Sequence, residues 1–153
     1  MPTSRVPDAI DALVAIVAGL ALDGVRVVDG PDPVNATEKH RIHIGYSTST
    51  DTAVELQQQW NAAGARTRDE DFTIHCYAES RGGDKDMSLR RRKVFEMVGA
   101  IEQALRATNE TPEAPTLNGT VLWSELTAGD LVQSQAEGAI AGLAFTVSCR
   151  ARI

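Results

Sequence analysis

The sequence predicts an α+β fold: a single domain, 1–153, with one mainly antiparallel or mixed sheet of about five to six strands packed by two main helices, 7–22 and 88–107. Apolar residues recur at the spacing of an amphipathic helix in these two segments. They alternate with polar residues in several shorter segments, which is the pattern of half-buried strands. A chain of 153 residues can bury enough surface for one core without a disulfide or a metal.

The first helix, 7–22, is predicted from its start signals and from apolar residues at positions 10, 13, 14, 17 and 20. Pro7 suits the first helical position, and Asp8 complements the helix dipole there. Aspartates interrupt the apolar run, and no basic segment precedes it, so we expect a helix of the fold and not a signal peptide. We therefore expect the protein to stay in the cytoplasm where it is made and to have no membrane span.

Two alternating segments, 41–47 and 71–80, predict strands in the middle of the chain. In the first of them, Ile42 faces one side of the sheet, and His43 faces the other, outward side. Residues 48–70, between the two strands, are polar and irregular. We expect them to form a polar excursion with one or two helical turns around "AVELQQQW".

Three more strands are predicted in the C-terminal third of the chain. The segments 119–127 and 130–138 follow each other closely, so we expect them to pair as neighbours. The final segment, 139–153, alternates apolar and polar residues up to the last residue. A strand in that position is held by pairing within the sheet, because a free terminus would fray.

The charge of the chain is unevenly distributed. The formal net charge is −6, yet residues 81–93 sum to +4, which leaves −10 for the rest. An acidic protein has no general affinity for DNA or for acidic membranes. A bipolar surface instead suits self-association through complementary patches. The cations of this segment are Arg81, Lys85, Arg90, Arg91, Arg92 and Lys93.

The four consecutive cations 90–93 lie in the first turn of the second helix, which Asp86 or Ser88 can cap. Successive helical residues are about 100° apart, so the four side chains surround the turn. They oppose the helix dipole, and a pair between Arg92 and Glu96 recovers little of that cost. Three interpretations remain open: a solvated helix start neutralised by nearby aspartates, a salt-bridge surface between subunits, or direct contact with nucleic acid.

Few residues of the chain are candidates for chemistry. Cys76 and Cys149 fall among apolar residues of predicted strands, so we expect buried free thiols. His43 and His75 lie on the outward faces of predicted strands and become neighbours if those strands pair. They are then the basis for a small enzyme or ligand-binding domain. The spacing offers no third metal ligand, so surface or interface histidines are the simpler interpretation, and we expect no cofactor.

Trp60 lies in the polar excursion, where a tryptophan either docks on a partner or folds back onto its own domain. The motifs of serine hydrolases, phosphate-binding loops, zinc proteases and CxxC redox sites do not occur in the sequence. The sequence therefore favours a protein that is not an enzyme and that works through its surfaces. The candidate interface residues are Arg81, Arg90, Arg91, Arg92, Lys93 and Trp60.

Six segments of the chain together resemble a known family. They are "VPDAIDALVAIVAGL" with "VRVVDG", the acid-led "RDEDFTIHCYAES", the helix "RRRKVFEMVGAIEQAL", "GTVLWSEL" and the terminal "GLAFTVSCRARI". In order and spacing, over nearly all 153 residues, the chain resembles the tail terminator (tail completion) proteins of long-tailed bacteriophages. The excursion 48–70 is long and in this respect departs from a compact version of that pattern.

The resemblance implies a structural virion protein that is assembled in the host cytoplasm. Its protomers would form a homo-oligomeric, hexameric ring on the last ring of the major tail tube protein. Such a ring stops tube polymerisation and gives the head and neck a docking surface, while genomic DNA passes through its lumen without being read. A head–tail connector (head completion) protein of the neck is the alternative within this class. The family fixes no functional residues by motif.

Overall fold

The computed structural model describes residues 2–31, 38–135 and 138–153. It confirms the α+β fold with two helices and a six-stranded mixed sheet. The helices are α1, Val6–Gly19, and α2, Met87–Leu105, and a single 3-10 turn spans Ala114–Thr116. The strands are β1 (Val25–Asp29), β2 (His40–Ile44), β3 (Val54–Trp60), β4 (Arg68–Arg81), β5 (Trp123–Ser134) and β6 (Ile140–Arg152).

Both helices are slightly displaced from their predicted bounds, 7–22 and 88–107. Ala21 has a φ of 48°, a left-handed conformation that a helix cannot continue through, so α1 ends at Gly19. Arg106 is extended, which ends α2 at Leu105. The side chain of Asp86 accepts a hydrogen bond from the Leu89 N–H at 3.1 Å, so Asp86 is the cap of α2 and Ser88 is not.

The sheet is built around the two long strands β4 and β6. The strand order is β1-β2-β4-β6-β5, with β1 and β2 parallel and the other pairs antiparallel. β6 runs along one side of β4 for almost its full length. The other side of β4 is shared, because β2 pairs with Cys76–Ser80 and β3 pairs with Arg68–Ile74. β1, β3 and β5 are therefore the edge strands of the described sheet.

One face of the sheet forms the core and the other is uncovered by helices. The predicted apolar faces of β4 and β6 are buried, from Phe72 to Ala78 and from Leu143 to Ala151. α1 packs on the β1 and β2 side, and α2 packs across β4, β6 and β5. The open face carries short polar side chains such as Thr73 and Thr146. The largest fully buried side chains include Leu13, Ile42, Ile74, Met97, Ile101 and Phe145.

The excursion 48–70 does not contain the helical turns that we expected around "AVELQQQW". These residues form β3, which with β4 makes a hairpin of seven paired positions. Leu56 and Trp60 lie on the helix-side face of β3 but beyond the helices, so both are exposed. The apolar alternation that marks a half-buried strand is therefore missing from this segment.

The expected pairing of two strands, 119–127 and 130–138, is wrong. They are one strand, β5, that pairs with β6 along its length and has a register shift between Ala128 and Leu131. Residues 136–137 lie outside the described residues. The number of strands still matches the prediction, because β3 replaces the strand lost by this fusion.

Candidate interaction surfaces

The predicted interface cations converge at one end of the sheet, which we name the basic end and define as Arg81, Lys85 and the block 90–93. β4 ends at Arg81, and α2 begins at Met87 after a tight turn. The start of β6 lies against the same turn, with the Ala139 N–H donating to the Asp84 carbonyl at 2.8 Å. The turn therefore brings the end of β4 and the first turn of α2 together.

Arg90 is a structural residue of this end and not a solvated cation. Its Nη1 donates to the Arg81 carbonyl at 3.0 Å, and its Nη2 lies 3.8 Å from Asp84 Oδ2. Only 11% of the side chain is exposed. A Cβ at Gly82 would lie 3.1 Å from the Arg90 guanidinium, so the glycine allows this close approach. The sequence interpretations of the block included neutralisation by nearby aspartates, as by Asp84 here, but not the hydrogen bond to the Arg81 carbonyl.

The other cations of the block point in different directions, as the 100° spacing predicts. Arg91 Nη1 donates to Gln133 Oε1 of β5 at 2.8 Å. Lys93, and not Arg92 as expected, approaches Glu96, at 4.0 Å. Among the described residues no hydrogen bond or ion pair involves the Arg92 side chain, and the residue is exposed. Arg92 is thus the member of the block that is most available to a partner.

His40, at the start of β2, lies in the positive electrostatic potential of the basic end. Burial lowers the pKa of His40 from its ordinary value, and the positive charges of Lys93, Arg90 and Lys39 lower it further. The imidazole is therefore biased to the neutral form. Its Nδ1 forms a 2.9 Å hydrogen bond with the Ser80 hydroxyl.

Trp60 lies at the other end of β4, away from the basic end. It pairs with Arg68 at the start of that strand, while Arg81 is the last residue of the strand. Thirteen steps of about 3.3 Å make the separation about 40 Å. The indole is 56% exposed, so it does not fold back into the core. The structure therefore does not bring Trp60 together with the predicted interface cations.

The indole is held in a defined position on its hairpin. The Arg68 guanidinium carbon lies 5.1 Å from the ring centre, a cation–π distance. Arg68 Nη2 also donates to the Thr3 carbonyl at 2.8 Å, which fixes the arginine beneath the ring. Gly64 has a φ of +74° in the hairpin loop, a conformation that favours glycine.

The two histidines do not form one site. His43 lies on the outward face, as expected, opposite Tyr77 of β4, but it is 3% exposed, because the rings of Tyr46 and Tyr77 pack against it. Its Nδ1 lies 3.0 Å from the Gly30 carbonyl oxygen. His75 lies instead in a cleft of about 370 Å³ on the open face, with Nε2 3.4 Å from Glu55 Oε1. The described residues contain no group of three or more ligating side chains arranged to hold a metal.

A groove at the edge of the molecule was not visible in the sequence. It runs between the C-terminal half of α2 and the outer edge of β5, and its volume is about 460 Å³. It stays open because no strand pairs with the outer edge of β5 in the described sheet. The sequence could not predict this groove, because only the strand order shows that β5 is an edge strand. We name it the α2–β5 groove; Glu102, Leu105, Pro115, Trp123, Leu126 and Thr127 line it.

Comparison of the chain with known protein-family models found no match, and neither did comparison with curated protein sequences.

Within the described residues, no helix has the length and apolar character needed to span a membrane.

The surfaces therefore divide into three kinds at three places. The basic end is charged and partly fixed by its own contacts, the Trp60 hairpin presents an aromatic ring, and the α2–β5 groove is a partly apolar recess. Exposed arginine and tryptophan side chains are the types most enriched in protein–protein contacts. This arrangement suits a protein that binds several neighbours at once.

Proposed function

We propose that the protein is a structural virion protein, a tail terminator whose hexameric ring caps the tail tube. Our proposal depends above all on two unlike surfaces, the basic end at Arg81 and the start of α2, and Trp60 on the edge strand β3, about 40 Å apart. A ring that ends a tube binds its own copies laterally and binds the tube and the head or neck along its axis. Its protomer must therefore present separate surfaces of different chemistry for the two kinds of contact.

The rest of the fold supports this proposal. A ring closes only if each subunit has two different lateral surfaces that fit each other. The sheet has edge strands on opposite sides, β3 and β5, with different chemistry beside each of them. The resemblance in order and spacing to phage tail terminators supplies the specific role. In that role genomic DNA passes through the ring without sequence-specific binding.

The test uses the protein together with a major tail tube protein. We expect light scattering to give a homo-oligomer of one size, with six copies, and electron microscopy to show rings. Added to polymerising tube protein, the protein should stop growth and leave one ring at the tube end. A protein that stays monomeric and leaves tube length unchanged at all ratios would refute the proposal.

A head–tail connector of the neck is the alternative within the same class, since its protomer also needs separate lateral and axial surfaces. The two roles differ in the partner that is bound directly. Pull-down with tube protein but not with head-side connector proteins favours the terminator, and the reverse result favours the neck.

The second class, a ligand-binding domain or small enzyme, is favoured only by the pair His75 and Glu55 in the open-face cleft. His43, its other expected member, is buried beneath tyrosine rings. Substitution of His75 by Ala separates the classes. A variant that still forms rings and caps tubes shows that this pair is dispensable for the structural role.

A further inference from the structure

The hairpin that carries Trp60 is a prearranged, positively charged knob. We define the Trp60 hairpin as residues 60–68; it contains two arginines, Arg66 and Arg68, and no acidic residue. Alanines at 62, 63 and 65 leave its tip narrow. Because Arg68 and the Thr3 carbonyl already hold the indole, little side-chain freedom is lost when the ring is buried by a partner.

The α2–β5 groove is a recess with the opposite charge. Its volume, about 460 Å³, lies in the range of pockets that enclose whole ligands and is large enough to admit an indole ring. The groove lining contains two glutamates, Glu102 and Glu125, and one arginine, Arg106. Glu102 is already paired with Arg106, which leaves Glu125 to meet an incoming cation.

The knob and the recess lie at the same end of the sheet but on opposite edges. Trp60 of β3 is paired with Arg68 of β4. Trp123 of β5, which lines the groove, is paired with Arg150 of β6. Arg150 is in turn paired with Asp71 of β4. The strand order β3-β4-β6-β5 puts three spacings, or about 14 Å, between the two edge strands. Both features face outward, so a chain cannot place its own indole in its own groove.

We propose that the Trp60 hairpin of one copy inserts into the α2–β5 groove of the next copy. The charges are complementary, the recess is large enough, and the two surfaces differ, so the contact is head-to-tail. Repetition of such a contact gives a closed ring when the rotation between copies closes. This inference rests on the proposed homo-oligomeric ring and names the contact that closes it.

The decisive experiment mixes two variants of the full chain, each of which lacks one half of the contact. Trp60→Ala removes the knob, and Thr127→Arg fills and charges the groove. Each variant alone should be monomeric at concentrations where the wild type forms rings, with the association constant lowered roughly 30-fold or more, as for a hot-spot residue. Mixed at equal amounts, they should form a heterodimer that cannot grow, because one intact knob and one intact groove remain.

The matched control is Val132→Ala, which alters an exposed side chain of β5 outside the groove lining. It should leave the rings intact, and circular dichroism should show all three variants folded. Rings formed normally by Trp60→Ala would overturn the inference while leaving the ring itself standing. Two monomeric variants that form no heterodimer when mixed would also overturn it. Rings that depend on this contact but do not cap tubes would uphold it and refute the terminator role.

Discussion

Glu70 is the only fully buried carboxylate among the described residues, and it connects three elements. It lies in β4, its Oε1 accepts the Arg5 N–H before α1 at 2.9 Å, and its Oε2 accepts Gln58 Nε2 of β3 at 2.6 Å. Burial of a charge is costly unless hydrogen bonds replace water. Here the two bonds hold the start of α1 and the strand that carries Trp60 against the centre of the sheet.

Replacement of Glu70 by Ala should therefore destabilise the protein strongly. Two partly buried donors lose the Glu70 acceptor, although Gln58 Nε2 still donates to the Thr3 carbonyl, so we expect a loss of about 2–3 kcal/mol in the free energy of unfolding. Urea unfolding monitored by circular dichroism measures this loss. The matched control, Glu110→Ala, changes an exposed loop glutamate and should shift stability by less than about 0.5 kcal/mol. Equal effects of the two substitutions would contradict the role assigned to Glu70.

The two thiols should be inert in the folded protein. Burial raises the pKa of both Cys76 and Cys149 to about 12, so almost no thiolate exists at pH 8. A thiol reagent should react with neither cysteine until urea unfolds the chain, and then with both.

The same pKa shift makes the fold sensitive to alkali. The unfolded thiols ionise near pH 9 and the folded ones near 12, so the folded state holds more protons between these values. The stability that they contribute is complete below about pH 9 and is lost as the pH rises towards 12. Rapid labelling of the native protein at pH 8, or thermal stability that rises from pH 9 to 11, would contradict this prediction.

At the scale of elements, the sequence predicts helices and strands best where the spacing of the apolar residues matches the face that is buried. α2 and the long strands β4 and β6 each bury one face, so their apolar residues recur as the sheet and the helix require. β3 escapes prediction because it is an edge strand, and most of its residues are exposed. β5 was divided in two because the irregularity between Ala128 and Leu131 resembles a turn in sequence.

The candidate surfaces, too, can be predicted from the sequence only where local patterns determine them. The basic end could be found from the sequence, because its cations are consecutive in the chain. The outward face of His43 is predicted correctly, but strand alternation cannot reveal that Tyr46 and Tyr77 cover its side chain. The α2–β5 groove needs the strand order, since its walls come from α2, β5 and the loop between them. Local patterns reveal which faces are apolar, but only pairing reveals which edges are open.

The contacts of α2 predict that its consecutive arginines have different roles. Arg90→Gln removes the hydrogen bond to the Arg81 carbonyl at a largely buried site, and should lower the free energy of unfolding by about 1–2 kcal/mol. Arg92→Gln changes an exposed side chain and should alter stability by less than about 0.5 kcal/mol. Urea unfolding of the two variants side by side tests the difference. Equal stabilities would show that the Arg90 contacts contribute nothing to the fold.

At the scale of the whole molecule, the sheet provides two independent directions of contact. Its edges, β3 and β5, carry the hairpin and the groove that we assign to neighbouring copies. Its basic end points along the strands, and this is where the surface cations Lys85 and Arg92 are exposed. Contacts across the sheet and contacts along it use different residues, so substitutions can remove one kind and spare the other.

This separation predicts two classes of assembly defect. The double substitution Lys85→Glu and Arg92→Glu should leave the oligomer measured by light scattering unchanged, because neither residue lies in the hairpin or the groove. It should weaken attachment to whichever axial partner meets the basic end, and in the wild type that attachment should fall as salt is raised from 0.05 to 0.5 M, since exposed charges are then screened. Trp60→Ala should show the opposite pattern: ring formation is lost, because the indole contributes by burial, while the basic end is unchanged. If the charge-reversed variant loses its rings, then the basic end is itself a contact between subunits, and the interface cations predicted from the sequence act laterally.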